Sequence, residues 1–173
     1  MRLTTICYIE KDGQYLMLHR TKKEQDQSHD KWLGIGGKFE QGESPEECIL
    51  REVKEETGLT LTSFVLRGIM TFLGQGLEDE YMFIYTADSF TGTLTECSEG
   101  ELEWVDKRKV LELNIWEGDV YFLERLIGGD AFFSLKVQYL PDSSGELVLS
   151  SVDSYDVKNG IDGKEQFVYH KEM

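Results

Sequence analysis

The sequence predicts an α/β (α+β) fold in which a mixed β-sheet lies between helical layers. Three observations carry this expectation. Short β-prone runs recur between residues 4 and 152; two well-framed helical stretches, near residues 50 and 123, interrupt them; and neither an internal repeat nor a second domain boundary divides the chain. A length of 173 residues, 40% of them hydrophobic and 12% aromatic, suits one domain with a sizeable core.

Residues 4–9 and 15–19 are the first two strands, and Lys11-Asp12-Gly13 between them is a hairpin signal. Arg20 follows directly, as a cation at a strand end. Residues 21–31 are polar without periodicity and predict an exposed loop, in which His29 reads as a bystander. Next comes Trp32-Leu33-Gly34-Ile35-Gly36-Gly37-Lys38. Three glycines in four positions permit close backbone approach, which suits either a loop offering carbonyl and N–H groups to a metal-bound phosphate or a tight turn without a ligand.

The best-framed element lies between Ser44 and Gly58. Ser44 is a good N-cap, Pro45 suits the first turn, Glu47 completes a capping box and Gly58 supplies a left-handed stop. Spacings of three and four put Glu52, Glu55 and Glu56 on one helix face, opposite Ile49, Leu50 and Val53. Three carboxylates held this close repel one another at neutral pH, so a hard divalent cation is their natural partner. Arg51, four residues before Glu55, is in reach of an ion pair along the helix.

Residues 64–73 and 81–86 read as core strands joined by a loop over 74–80, with Phe72 placed to pack or to line a base pocket. Glu96, Glu99 and Glu101 then bring further carboxylates just ahead of a strand at 102–105. Residues 110–113 suggest a short turn. From Asp119 to Ile127 apolar residues recur at helical spacing, and Gly128-Gly129 ends the run. Trp116 and Asp119 bracket this helix start: they suit a nucleobase, held by an indole against its face and a carboxyl on its edge, or an ordinary staple and cap. Residues 132–140 and 147–152 look like a final strand pair. The domain is therefore expected over 1–152, with 153–173 as a C-terminal extension containing a short strand at 167–169.

Composition narrows the function classes. A formal net charge of −15 disfavours a protein that grips nucleic acid polymers through a basic surface, while a small phosphorylated substrate arriving with its own cation remains compatible. Cys7, Cys48 and Cys97 are odd in number and lack metal-ligand spacing, as expected of reduced thiols in a cytoplasmic protein. No secretory leader or membrane-length apolar window is present, so no membrane association is expected. Oligomeric state is left open.

Glycine, five residues, glutamate, seven residues, then Arg-Glu-aliphatic-x-Glu-Glu-x-Gly-aliphatic resembles the signature of the Nudix hydrolases, with Gly37, Glu43, Arg51, Glu52, Val53, Glu55, Glu56, Gly58 and Leu59 at every specified position. Weaker similarity to the MutT-like members runs from about residue 4 to residue 140. The resemblance implies a Nudix α/β/α sandwich and an Mg²⁺-dependent (or Mn²⁺-dependent) pyrophosphohydrolase acting on a small nucleotide substrate. It implies metal ligation by Glu52, Glu55, Glu56, Glu99 and the Gly36 carbonyl, with Glu56 or Glu99 as base and Glu96 or Glu101 as substitutes for Glu99. By the same resemblance Arg51 orients the glutamates, and Arg20, Gly37 and Lys38 approach phosphate. Trp116 and Asp119 match the base-binding corner of the 8-oxo-dGTP-hydrolysing members. One departure is Leu33, where some of those enzymes carry an asparagine that contacts the base. Dinucleoside polyphosphates and nucleotide sugars are the rival substrates, and a nucleotide sensor without hydrolysis is the rival class, though no box glutamate is missing.

Overall fold

The computed structural model describes residues 1–160 and 163–173. The first hairpin forms as its turn predicts: Asp12 and Gly13 both take left-handed backbone (φ 51° and 74°), the combination that matches strand twist in a two-residue turn. It joins β1 (Arg2–Lys11) to β2 (Gln14–His19), and β3 (Trp32–Leu33) pairs with the end of β2. Then come α1 (Pro45–Thr57), β4 (Thr60–Gly74), β5 (Glu80–Thr91) and β6 (Glu101–Asp106). A 3₁₀ helix (Lys107–Glu112), α2 (Asp119–Gly128), β7 (Phe133–Pro141), β8 (Leu147–Asn159) and β9 (Glu165–Lys171) complete the chain.

The strands form one mixed sheet in the order β3-β2-β1-β5-β4-β7-β8-β9, with β6 antiparallel to β2. β1 runs parallel to β5 and β4 parallel to β7, whereas the remaining pairings are antiparallel. Side chains alternate across a strand, and β1 uses both faces. Ile6 and Tyr8 enter a core with Phe122, Leu123 and Leu126 of α2, while Cys7 and Ile9 enter a second core with Ile49 and Val53 of α1. The sheet therefore lies between two helical layers, as the sequence predicts.

Four boundaries differ from the sequence expectation. β4 and β5 extend well beyond 64–73 and 81–86, because the long hairpin keeps its backbone ladder past the apolar run, through register shifts near Leu61 and Leu66. The turn expected at 110–113 is the end of the 3₁₀ helix. The limit placed at 152 falls inside β8, and 153–173 contributes that strand's second half and β9, which contains the run expected at 167–169. This hairpin is held by cross-strand pairs rather than an apolar interior: Tyr155 lies against Tyr169 with ring centroids 5.3 Å apart, and the Tyr169 hydroxyl donates to Asp153 at 2.8 Å. Among the described residues, no helix is long and apolar enough to cross a membrane.

Candidate active site

One cavity of about 560 Å³ opens between the glycine loop, α1 and the start of α2. Its acidic end is built by α1. Ser44 Oγ accepts from the Glu47 N–H at 3.2 Å, Glu47 returns the bond to the Ser44 N–H at 2.8 Å, and Gly58 closes the helix at φ 78°. With the helix so framed and Ile49 and Val53 fully buried, Glu52 and Glu56, one turn apart, line the cavity. Glu55 does not; its side chain is 60% exposed. Three residues from Glu52 is about 60° of rotation to the outer side, whereas four is about 40° to the inner.

Arg51 gathers the helix's outer carboxylates. Its guanidinium donates to Glu43 at 2.6 and 2.9 Å, to Glu52 at 2.8 Å, to Glu55 at 3.2 Å and to the Lys38 carbonyl at 3.0 Å. The Arg51 bonds hold the Glu43 carboxyl down at about 2. So many partners on one planar fork fix the geometry of the surrounding segment.

Glu56 is the buried member. It receives one bond, from the Gly36 N–H at 3.1 Å. Burial first, then the charges of Glu99 and Glu52, push its carboxyl up to about 8. Glu52 is shifted upward too, by burial first, with Arg51 opposing. Glu99 behaves oppositely: burial would raise it, but Lys23 at 2.5 Å and Arg20 at 2.5 Å outweigh that and keep it below the ordinary carboxylate range.

The glycine loop is positioned by pairing with β1. Cys7 and Ile35 exchange backbone bonds at 2.6 and 2.9 Å, and Thr5 N–H donates to the Gly37 carbonyl at 2.9 Å. This approach explains the glycines: a Cβ on Gly36 would stand 2.0 Å from the Thr5 carbonyl oxygen, and one on Gly37 would meet the Glu52 carboxylate at 2.4 to 2.5 Å. The loop is thus a flat backbone floor rather than a tight turn, and Lys38 stands exposed at its rim.

These residues fit a hard cation. All the side-chain donors are carboxylate oxygens, Glu56 makes no salt bridge among the described residues and feels only the weaker pull of Arg20, and mutual repulsion opposes full ionisation of the set. Among the described residues no three of these groups are drawn into a closed ligand cage. Glu52 is engaged by Arg51 and Glu99 by Arg20 and Lys23, so a cation would share these carboxylates with them.

The other end of the cavity is aromatic. The Trp116 indole N–H donates to Ser28 Oγ at 3.2 Å, Lys31 lies over its ring at 4.9 Å, and Tyr139 meets it edge-on at 6.1 Å. Tyr139 also contacts Phe72 and accepts the Gly118 N–H at 2.7 Å. Asp119 does not cap its helix: Gly118 is the N-cap and makes no side-chain bond, so the capping alternative for Asp119 fails. Its carboxyl is 5% exposed, lines the cavity and has no hydrogen-bond partner among the described residues; burial first, then the charge of Glu80, pushes it up to about 7.

The structure therefore brings Arg20, Gly36, Gly37, Lys38, Glu52, Glu56, Glu99, Trp116 and Asp119 to one cavity, with Arg51 just behind, and leaves Glu55 outside. Glu96 and Glu101 do not line it. Arg20 is held between Asp26 (2.6 Å) and Glu99. Sequence reasoning missed Thr4, Glu80 and Tyr139 in the lining. The only local signal was an acidic residue, Glu80, directly before the apolar run 81–85.

The NUDIX domain family model matches residues 1–126. The Nudix hydrolase YvcI of Bacillus subtilis is 30% identical over 163 residues, spanning 91% of this chain and 98% of the relative. An oxidized purine nucleoside triphosphate hydrolase of Danio rerio is 30% identical over 128 residues, spanning 73% and 80%. Among solved structures, the MutT protein from Bacillus halodurans superposes with a TM-score of 0.76 at 30% identity, covering 89% of this chain and 97% of that one.

Proposed function

Because the chain belongs to the Nudix hydrolase family, whose members act on phosphoric anhydride bonds, we propose that it is a divalent-cation-dependent nucleoside triphosphate pyrophosphohydrolase acting on oxidised purine nucleotides of the 8-oxo-dGTP type. The observation that carries this reading is one cavity with carboxylates at one end and, at the other, an indole beside a buried carboxyl that has no hydrogen-bond partner among the described residues. Such a cavity suits a polyphosphate joined to a flat base. The similarity to an oxidized purine nucleoside triphosphate hydrolase supports the substrate class.

In this reading Glu52 and Glu56, with Glu99 and the Gly36 carbonyl, would hold Mg²⁺ or Mn²⁺. An ion held there would offset phosphate charge, polarise the phosphoryl group and lower the pKa of a bound water. Glu55, exposed and held by Arg51, is kept at the outer margin of that set. Glu56 takes the proton as water oxygen bonds to phosphorus, with Glu99 as the alternative base; the bridging P–O bond breaks, and monophosphate and pyrophosphate leave. Arg51 fixes the carboxylates without touching substrate. Lys38 and Arg20 approach the phosphates, and Arg20 exchanges its internal ion pairs to do so. Leu33 lines the cavity and offers no hydrogen bond, so base discrimination falls to the Trp116 and Asp119 end.

The test is a substrate panel, 8-oxo-dGTP against dGTP, a dinucleoside polyphosphate and a nucleotide sugar, with and without Mg²⁺. The expected result is cation-dependent pyrophosphate release with kcat/KM highest for the oxidised nucleotide. Equal kcat/KM for 8-oxo-dGTP and dGTP would remove the preference, and absence of all turnover would leave a nucleotide sensor.

A further inference from the structure

The base end of the cavity contains a second carboxylate that the proposed mechanism does not use. Glu80 heads β5 opposite Arg2 in the parallel pairing with β1. Thr4 Oγ1 donates to its Oε1 at 2.6 Å, and Arg2 ion-pairs with Oε2. These bonds aim a carboxylate whose side chain is 16% exposed, and it lines the cavity together with Asp119. A carboxylate has about four lone-pair sites, so Glu80 keeps acceptor capacity after binding Thr4 and Arg2. Asp119, unpartnered among the described residues, adds a second carboxyl near enough to feel Glu80's charge.

We propose that Glu80 is a specificity-determining residue: with Asp119 it forms a two-carboxyl wall that selects bases whose edge carries amino or ring N–H donors. This rests on the nucleotide reading of the cavity and deepens it. A carboxylate accepts and never donates, so a base edge that lacks the amino donor leaves a desolvated acceptor unpaired, which is the arrangement that discriminates most strongly between near-isosteric ligands. Guanine is therefore favoured over hypoxanthine, which lacks the 2-amino group, and cytosine over uracil. Thr4 and Arg2 are positioning residues that act through Glu80.

The test compares GTP with ITP and CTP with UTP for the wild-type chain, Glu80→Gln and Thr4→Val. Calorimetric binding of GMP and IMP serves as a readout that needs no turnover. Wild type should favour the amino-bearing member of each pair by about tenfold or more in kcat/KM, mostly through KM. Glu80→Gln should bring both ratios close to one, chiefly by raising KM for the amino-bearing member of each pair, and Thr4→Val should move them the same way by less. A Glu80→Gln protein that melts like wild type and keeps both ratios would reduce Glu80 to a strand anchor and overturn the proposal. Should that variant not fold, unchanged ratios in Thr4→Val would overturn it equally. If wild type turns over nothing yet binds GMP above IMP in a Glu80-dependent way, the hydrolysis reading falls and the wall stands. Equal binding of GMP and IMP by an active wild type removes the wall alone.

Discussion

At Glu56, burial and charge oppose each other. Glu56 is 9% exposed, feels the charges of Glu99 and Glu52, and among the described residues its carboxyl accepts from one neutral donor, the Gly36 N–H. Glu56→Gln keeps the shape and an acceptor for Gly36 while removing the charge. Turnover should fall by about 10²-fold or more, while the cation-free protein melts no lower than wild type; normal turnover in Glu56→Gln would remove it from the mechanism. Asp119 gives a pH prediction. Its carboxyl titrates at about 7 in the folded chain, against roughly 4 when unfolded. Folding therefore retains a proton across that interval, and the stability linked to it is intact at low pH and lost as pH rises through the folded value. Stability from urea unfolding should decline from pH 5 to pH 8 more steeply in wild type than in Asp119→Asn, the difference amounting to about 2–3 kcal/mol over that range. Parallel slopes would show that Asp119 is already ionised when folded. Much of this was legible beforehand: Glu52, Glu56, Glu99, Trp116 and Asp119 stand out by spacing and by resemblance. Glu55 was not separable from Glu56, because a helical wheel ranks angles without showing which neighbours cover the face. Glu80 and Thr4 meet across more than seventy positions of chain, and no local pattern announces that meeting.

At the level of elements, the chemistry depends on two supports, the framed helix and the glycine floor. Ser44→Ala removes one half of a reciprocal cap and should cost about 1 kcal/mol, seen as a lower melting temperature with kcat nearly unchanged. Gly36→Ala should behave differently. Its Cβ would stand 2.0 Å from the Thr5 carbonyl oxygen, so the loop must lift from β1 and withdraw the donor that holds Glu56. Loss of turnover should then exceed any loss of stability, and a Gly36→Ala enzyme with full activity would show that the floor is not needed. The helix could be read from its caps, since Ser44, Pro45, Glu47 and Gly58 are local signals of local structure. The floor could not. The glycines announced close approach, but only the fold reveals that their neighbour is β1.

Across the whole molecule, the sheet joins a nucleotide-sized cavity at one side to a hairpin of β8 and β9 at the other. The Arg125 guanidinium couples that hairpin to α2 by pairing with Asp156 at 3.4 Å and with Glu172. A chain ended after Asn159 should lose several degrees of melting temperature and gain a tendency to associate through the exposed edge of β8. Its kcat should hold at temperatures where it stays folded, because no residue of β9 lines the cavity. Reduced kcat at those temperatures would tie β9 to the site. The layered architecture was visible in the alternation of strands and helices, and the fold agrees. The strands beyond residue 152 were hidden because their side chains are mostly polar and their order comes from backbone pairing and tyrosine contacts.

The parallel register of β1 with β5 also sets a timetable. Arg2 meets Glu80 and Ile9 meets Ala87, so during synthesis β1, although β2 follows it at once, waits for its second neighbour until almost eighty further positions have been made. At translation speeds of about 5–20 residues per second, that wait lasts on the order of several seconds. Until it ends, the β5-facing edge of an uncharged β-prone segment, Ile6-Cys7-Tyr8-Ile9, is open to pairing with other nascent chains.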